Sequence, residues 1–302
     1  MWQLVEILFG NVLCSNAFWL LVISLLGLKM FMLSTIGKNP SNKRIFGKTV
    51  LITGPTSGIG RELAIGMGFR GAKVILACRD LKKAEELQEE IYTRAQIPKS
   101  RVVAYHLDLS SLASVRKFVD EINRCEDRID VLINNAGETG LGNRKTSDGL
   151  NIGMQVNHFG PFLLTCLLMD KLKQSAPSRV IWVTSSLNGC AKFDVENMNF
   201  DNNFSENQVY FCSKLANILV ANELAKRVQK SGVTVNTVHP GFTSTKIWQH
   251  FPGGVYVLWN FMLQKFFREK VPSVKAQNKV LGIRVFEKSM ELVGLQPHEI
   301  IH

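Results

Sequence analysis

Paired cysteines are missing from this chain. Its six cysteines, at positions 14, 78, 125, 166, 190 and 212, include no C-x-x-C pair. A disulfide scaffold needs denser spacing and a zinc site needs short paired spacings. No metal is therefore expected, and reduced thiols in a cytosol-facing domain are the simplest reading. Glycine and proline, 23 and 9 without a period, are too few for a collagen-like or low-complexity chain. Acidic charge is also short: 25 Asp and Glu stand against 36 Lys and Arg, a formal charge of +11. Such a surplus raises nucleic acid as a partner. However, residues 1–48 hold five basic and one acidic side chain, and a positive face beside a membrane accounts for much of the remainder. No nucleic-acid partner is expected. What is plentiful is apolar: 46% of residues, against 20% charged, enough to bury a sizeable core.

Charge is absent altogether from residue 7 to residue 28, and the second half of that stretch is almost continuously apolar. Its length suffices to cross a hydrocarbon core of about 30 Å. Only Glu6 precedes it, whereas Lys29, Lys38, Lys43, Arg44 and Lys48 follow. The positive-inside tendency then puts everything after residue 28 on the cytosolic side. A monotopic anchor and a cleaved signal remain alternatives, the first because Asn11, Ser15 and Asn16 dilute the first half. The chain is accordingly divided into a membrane anchor over 1–33, a polar linker over 34–47, a catalytic domain over 48–270 and a divergent, partly helical tail over 271–302.

Short apolar runs alternate with helical patterns after the linker. The pattern predicts strands over 49–53, 73–77, 102–107, 131–134, 180–184 and 233–238. Helices are predicted over 60–69, 81–94, 111–121, about 150–172 and 213–229. Strands separated by helices imply right-handed crossovers and a parallel sheet. The fold class is α/β: a doubly wound, Rossmann-like parallel sheet in a single domain, preceded by the anchor helix. Such sheets bind ligands beyond the carboxyl ends of their strands.

Thr53-Gly54-Pro55-Thr56-Ser57-Gly58-Ile59-Gly60 lies between the first strand and the first helix. Gly54 supplies a turn, Gly58 removes a side chain where a pyrophosphate would approach, and Gly60 permits tight packing. The helix N-terminus offers free N–H groups to the phosphates. An ordinary glycine-rich turn is the bland alternative, but the strand–turn–helix context is the one that dinucleotide binding requires. The second strand ends Cys78-Arg79-Asp80, with Lys82 and Lys83 beyond. An NAD-type site usually ends this strand with an acid on the ribose hydroxyls. Here Cys78 stands in that place, and Arg79 could grip a 2′-phosphate in fork geometry. NADP(H) is favoured, unless Asp80 does the acid's work one residue late. Tyr210 and Lys214, four apart on a helix, share a face. An ammonium beside a phenol lowers the phenol's ordinarily high pKa and suits it to proton transfer.

These motifs, in this order, together with Asp108-Leu109, Asn134-Asn135-Ala136-Gly137, a serine after the fifth strand and Pro240-Gly241, resemble the short-chain dehydrogenases/reductases over about residues 46–245. Leu76-Ala-Cys-Arg-Asp80, Val156-Asn-His-Phe-Gly160, Ser213-Lys-Leu-Ala-Asn217 and Val238-His-Pro-Gly241 look like the membrane-anchored retinol dehydrogenase branch, which reduces retinal with NADPH. The resemblance implies Tyr210 as proton donor and Lys214 as its support and the grip on the nicotinamide ribose. It implies Ser185 on the substrate oxygen, with the adjacent Ser186 as runner-up, and Asn157 holding a water that links Lys214 to solvent. The implied cofactor contacts are Thr53, Gly54, Ser57, Gly58, Ile59, Gly60, Arg79, Asp108, Leu109, Asn134, Ala136, Tyr210, Lys214, Pro240, Gly241 and, less securely, Thr243.

The implied activity is NADP(H)-dependent interconversion of a lipophilic alcohol and carbonyl: a retinoid, steroid or aldehyde. A catalytically impaired cofactor-binding scaffold or sensor is the alternative. Aromatic residues crowd the segment after Pro240-Gly241, among them Phe242, Trp248, Phe251, Tyr256, Trp259 and Phe261. In the family this segment covers the substrate, and an aromatic lid suits a long apolar ligand. Core packing or a surface lying on the bilayer would explain it equally. The endoplasmic reticulum membrane is the expected location, with lipid droplets and mitochondrial membranes as alternatives and a homodimer left open. The family's further strand after about Lys270 finds no match, which leaves an edge of the sheet without its expected cover.

Overall fold

The computed structural model describes residues 43–201, 204–240 and 274–301, together with 19–20, 22–24, 26–27 and 30. The chain divides into two units, Met1–Asn42 and Lys43–His302. In the first, the described residues are helical, and Trp19, Leu20, Ile23, Leu26 and Met30 are exposed. Most of the expected anchor lies outside the described residues. Among those described, no helix is long and apolar enough to cross a membrane.

The second unit is built on a six-stranded sheet in the order β3-β2-β1-β4-β5-β6. Its strands are β1 (Thr49–Thr53), β2 (Lys73–Cys78), β3 (Val102–His106), β4 (Val131–Asn134), β5 (Ser178–Val183) and β6 (Val233–Val238). Every pairing is parallel. The central strand β1 is buried at every position, as a strand covered on both faces must be. On one face, α1 (Gly58–Phe69) and α2 (Leu81–Ala95) cover Val50, Ile52, Val74 and Leu76. The opposite face packs Leu51, Leu132, Val180 and Trp182 beneath the other helices. These are α3 (Leu112–Cys125), α4 (Gly160–Leu167), α5 (Met169–Gln174), α6 (Glu206–Arg227) and α7 (Lys279–Leu292). The strand order reverses between β1 and β4, and this opens a crevice at their carboxyl ends.

Three elements differ from the sequence expectation. The helix expected over 150–172 is instead four pieces: a turn at Ile152–Met154, a π-turn over Gln155–Phe159, then α4 and α5. Helix α6 begins seven residues earlier than the apolar pattern indicated, because Ser205 caps it by accepting from the Gln208 amide. Residues 279–292, expected as part of a divergent tail, form α7 against α6. There Phe286 is fully buried, edge-on to Phe162 at 5.3 Å, and Arg227 lies over its ring at 4.2 Å.

Candidate active site

The ends of all six strands converge on one cleft of about 460 Å³. The turn after β1 is shaped by glycine. Gly54 has φ +63° and Gly58 φ +54°, values that L side chains rarely adopt. A Cβ on Gly60 would collide with the Gly54 carbonyl and the Asn135 side chain. Thr53 is buried behind this turn rather than in the cleft. Its hydroxyl accepts from the Asn135 and Ala136 amides at 3.1 and 3.0 Å, which ties the end of β4 to the end of β1. Ser57 precedes α1 without capping it, and the first turn holds no acid. The leading N–H groups of α1 are thus free of a side-chain cap at the lip of the cleft, where an anion would be held.

The ends of β2 and β3 furnish the second lobe. Arg79, Asp108 and Leu109 line the cleft, with Cys78, Asp80 and Lys83. Asp80 is committed elsewhere: it caps α2 by accepting from the Lys83 amide at 3.1 Å and pairs with the Lys83 amine at 2.8 Å. Asp108 accepts from the amide and hydroxyl of Ser110 at 2.9 and 2.6 Å. Burial pushes the Cys78 thiol up to about 11, so it is an inert wall at neutral pH.

The third lobe carries the titratable centre. Tyr210 and Lys214 project from α6 and are buried, and Ser185 follows β5. The Ser185 hydroxyl faces the Tyr210 phenol and helps hold its pKa down. Ser185 also lines the cleft, whereas Ser186 begins the 3-10 turn that runs to Cys190. The Lys214 amine donates to the Val183 carbonyl at 3.3 Å and lies 5.5 Å from the centre of the Tyr210 ring. It fits because residue 137 is glycine: a Cβ there would sit 2.8 Å from Lys214 Nζ. Here the sequence expectation of an acidified phenol needs correcting. Burial pushes the Tyr210 phenol up to about 12, opposed in part by Ser185. Burial also pushes the Lys214 amine down to about 8. The amine lies over the ring face, and the dry site shifts both groups towards their neutral forms, although an amine near 8 is still mostly charged at neutral pH.

Asn157 stands one layer behind. Its side chain accepts from the Glu138 amide at 2.8 Å and donates to the Glu138 carbonyl at 2.9 Å. The carbonyl of Asn157, within the π-turn, accepts from Asn217 at 2.9 Å. Asn134 points away from the cleft and donates to Thr165 at 2.8 Å. Pro240 reaches the cleft; Gly241, Thr243 and the aromatic lid lie outside the described residues. Sequence reasoning overlooked Val183 and Glu138, and named Gly137 only as part of a motif without a role. The roles of Gly137 and Val183 show only once Lys214 is seen to reach them. Glu138, directly after Asn135-Ala136-Gly137, was visible but belonged to no motif.

A dinucleotide fits this constellation. A glycine cradle that rejects a Cβ and uncapped helix amides adjoin a groove that runs on to Tyr210 and Lys214. The family model described as short chain dehydrogenase matches residues 48–253. The chain is 36% identical to human (Homo sapiens) retinol dehydrogenase 13 over 87% of its own length and 89% of that protein. It is 42% identical to mouse (Mus musculus) retinol dehydrogenase 14 over 78% of its own length and 72% of that protein. Among solved structures, a Pseudomonas aeruginosa RhlG/NADP active-site complex superposes with a TM-score of 0.56 at 27% identity, covering 68% of this chain and 77% of that one.

Proposed function

The chain belongs to the short-chain dehydrogenase family and is an alcohol/carbonyl oxidoreductase, and from that premise we propose that it uses NADP(H) to interconvert a lipophilic alcohol and its carbonyl, a retinol/retinal pair first among them. One observation carries the reading: Ser185, Tyr210 and Lys214 meet in the same cleft as the glycine turn and Arg79. With this set intact, a catalytically silent scaffold is not favoured.

The glycine turn and the α1 amides would hold the pyrophosphate, Arg79 a 2′-phosphate, and Lys214 the nicotinamide ribose. The nicotinamide, when bound, donates hydride to a carbonyl carbon or takes it from an alcohol. In reduction, Ser185 hydrogen-bonds the substrate oxygen and Tyr210 gives it a proton, so that a carbonyl becomes an alcohol and the phenol a phenolate. A charged Lys214 amine stabilises that phenolate, which the neutral, buried resting phenol anticipates. Asn157 keeps the strand-end loop at Glu138 in place beside Lys214. The commitment of Asp80 to Lys83 and its helix leaves Arg79 as the residue that selects at the ribose.

Retinoids as substrates rest on the names of the relatives and on the aromatic composition of residues 242–267. The uncharged stretch at 7–28 and the basic residues after it support a membrane anchor with the catalytic unit in the cytosol, at the endoplasmic reticulum first. The full chain in detergent should be offered NADPH or NADH with retinal, steroid ketones and aliphatic aldehydes while reduced-nicotinamide absorbance is followed. Fastest loss with NADPH and retinal is the expected result; silence across the panel would sink the reading.

A further inference from the structure

Arg79 and Glu138 belong to different strand ends but meet across the cleft. Arg79 follows β2 and Glu138 follows β4, and these two strands flank β1 on opposite sides. Neighbouring strands lie about 4.8 Å apart, so the pair arches over the end of β1, where the glycine turn begins. The guanidinium Nη2 stands 3.4 Å from the carboxylate Oε2, and both side chains line the cleft, 58% and 45% exposed. The backbone of Glu138 is tied at both its amide and its carbonyl by the Asn157 side chain. The carboxylate is thus aimed from a fixed point at the guanidinium that a 2′-phosphate would use. The other two carboxylates lining the cleft are engaged elsewhere, Asp80 with Lys83 and Asp108 with Ser110.

We propose that Glu138 is a specificity-determining residue: it competes with the cofactor's 2′-phosphate for Arg79 and so narrows the preference for the phosphorylated dinucleotide. A 2′-phosphate must share the Arg79 guanidinium with Glu138, or displace it, and lie beside a carboxylate of its own sign. A dinucleotide with a free 2′-hydroxyl meets no such repulsion, and its hydroxyl is a donor that the carboxylate accepts. Binding of the two cofactors is therefore brought closer together than Arg79 alone would make it. The inference rests on the reading that Arg79 receives the 2′-phosphate. Exposed pairs of this kind are worth up to about 1 kcal/mol, which corresponds to a change of about fivefold in affinity.

The test is to measure the dissociation constants of NADPH and NADH for the full chain in detergent, in the wild type, Glu138→Gln, Arg79→Met and the double variant. Glu138→Gln should tighten NADPH about fivefold and leave NADH unchanged or weaker. In the Arg79→Met background the same substitution should tighten NADPH clearly less than it does in the wild type, because only the repulsion between carboxylate and phosphate is left to relieve. Glu138→Ala, which has no amide to offer, should reproduce the NADPH gain and guards against a new contact made by glutamine. If Glu138→Gln shifts neither cofactor, or both equally, or acts as strongly without Arg79 as with it, the proposal is overturned while the role of Arg79 stands. If Arg79→Met leaves the NADPH-to-NADH ratio unchanged, the NADP(H) reading falls first and this inference with it.

Discussion

The amine of Lys214 lies 5.5 Å from the ring centre of Tyr210, over its face, on a helix that buries both side chains. Neither group has its ordinary affinity for the proton. Burial holds the amine at about 8 and the phenol at about 12. A depressed amine means that the unfolded chain binds the proton more tightly than the folded one. Stability therefore rises with pH between the folded and unfolded values. The wild type should gain on Lys214→Met by on the order of 3 kcal/mol between pH 8 and about 10.5. Denaturant unfolding at several pH values checks this, and parallel curves for the two proteins would contradict it.

Ser289 of α7 reaches the fully buried His158, with its hydroxyl 2.9 Å from Nε2, while Nδ1 lies 2.8 Å from Asn217 Oδ1. The same Asn217 donates to the carbonyl of Asn157. Ser289→Ala strips Nε2 of its partner and should cost about 1–3 kcal/mol of stability. Burial pushes the imidazole down to about 4 from its ordinary 6.5. This contribution to stability is complete above pH 6.5 and is lost as pH falls towards 4. His158→Gln should unfold less steeply over that window; an identical acid limb for both proteins would remove the histidine from the account.

The glycines of α1 separate packing from propensity. Nothing lies within 4 Å of a Cβ built on Gly66, whereas one on Gly60 would strike the Gly54 carbonyl. Gly66→Ala should stabilise the chain by about 0.5–1 kcal/mol, the usual gain from removing an interior helical glycine. Gly60→Ala should lose NADPH binding, because backbone cannot yield as a side-chain tip can. Thermal midpoints and cofactor titration of the two variants decide the matter, and equal behaviour would show that the cradle is not as tight as the structure has it.

Where chemistry and local pattern agree, the sequence was legible. The bounds of β1, β4 and β6 follow directly from their apolar runs and breakers, and the glycine turn, Arg79, Ser185, Tyr210 and Lys214 meet in one cleft. The π-turn was missed although Gly160-Pro161 interrupts the helical pattern: Pro161 has no N–H to give the Asn157 carbonyl. What the local sequence does not show is that Asn217, 60 residues later, takes that carbonyl instead. The place of α7 was hidden for the same reason: its bond to His158 spans 131 residues. The state of the phenol was misjudged because spacing places a lysine near a tyrosine but says nothing of how dry the pair is. Glu138 was passed over because its partner Arg79 is 59 residues away.

The account stands or falls on proton transfer by Tyr210. A single-turnover measurement should follow hydride loss from bound NADPH with retinal, in the wild type and in Tyr210→Phe, with cofactor affinity taken on the same samples. Tyr210→Phe is expected to bind NADPH as the wild type does and to transfer hydride slower by about 10²–10⁴-fold. Hydride transfer by Tyr210→Phe at the wild-type rate would contradict it.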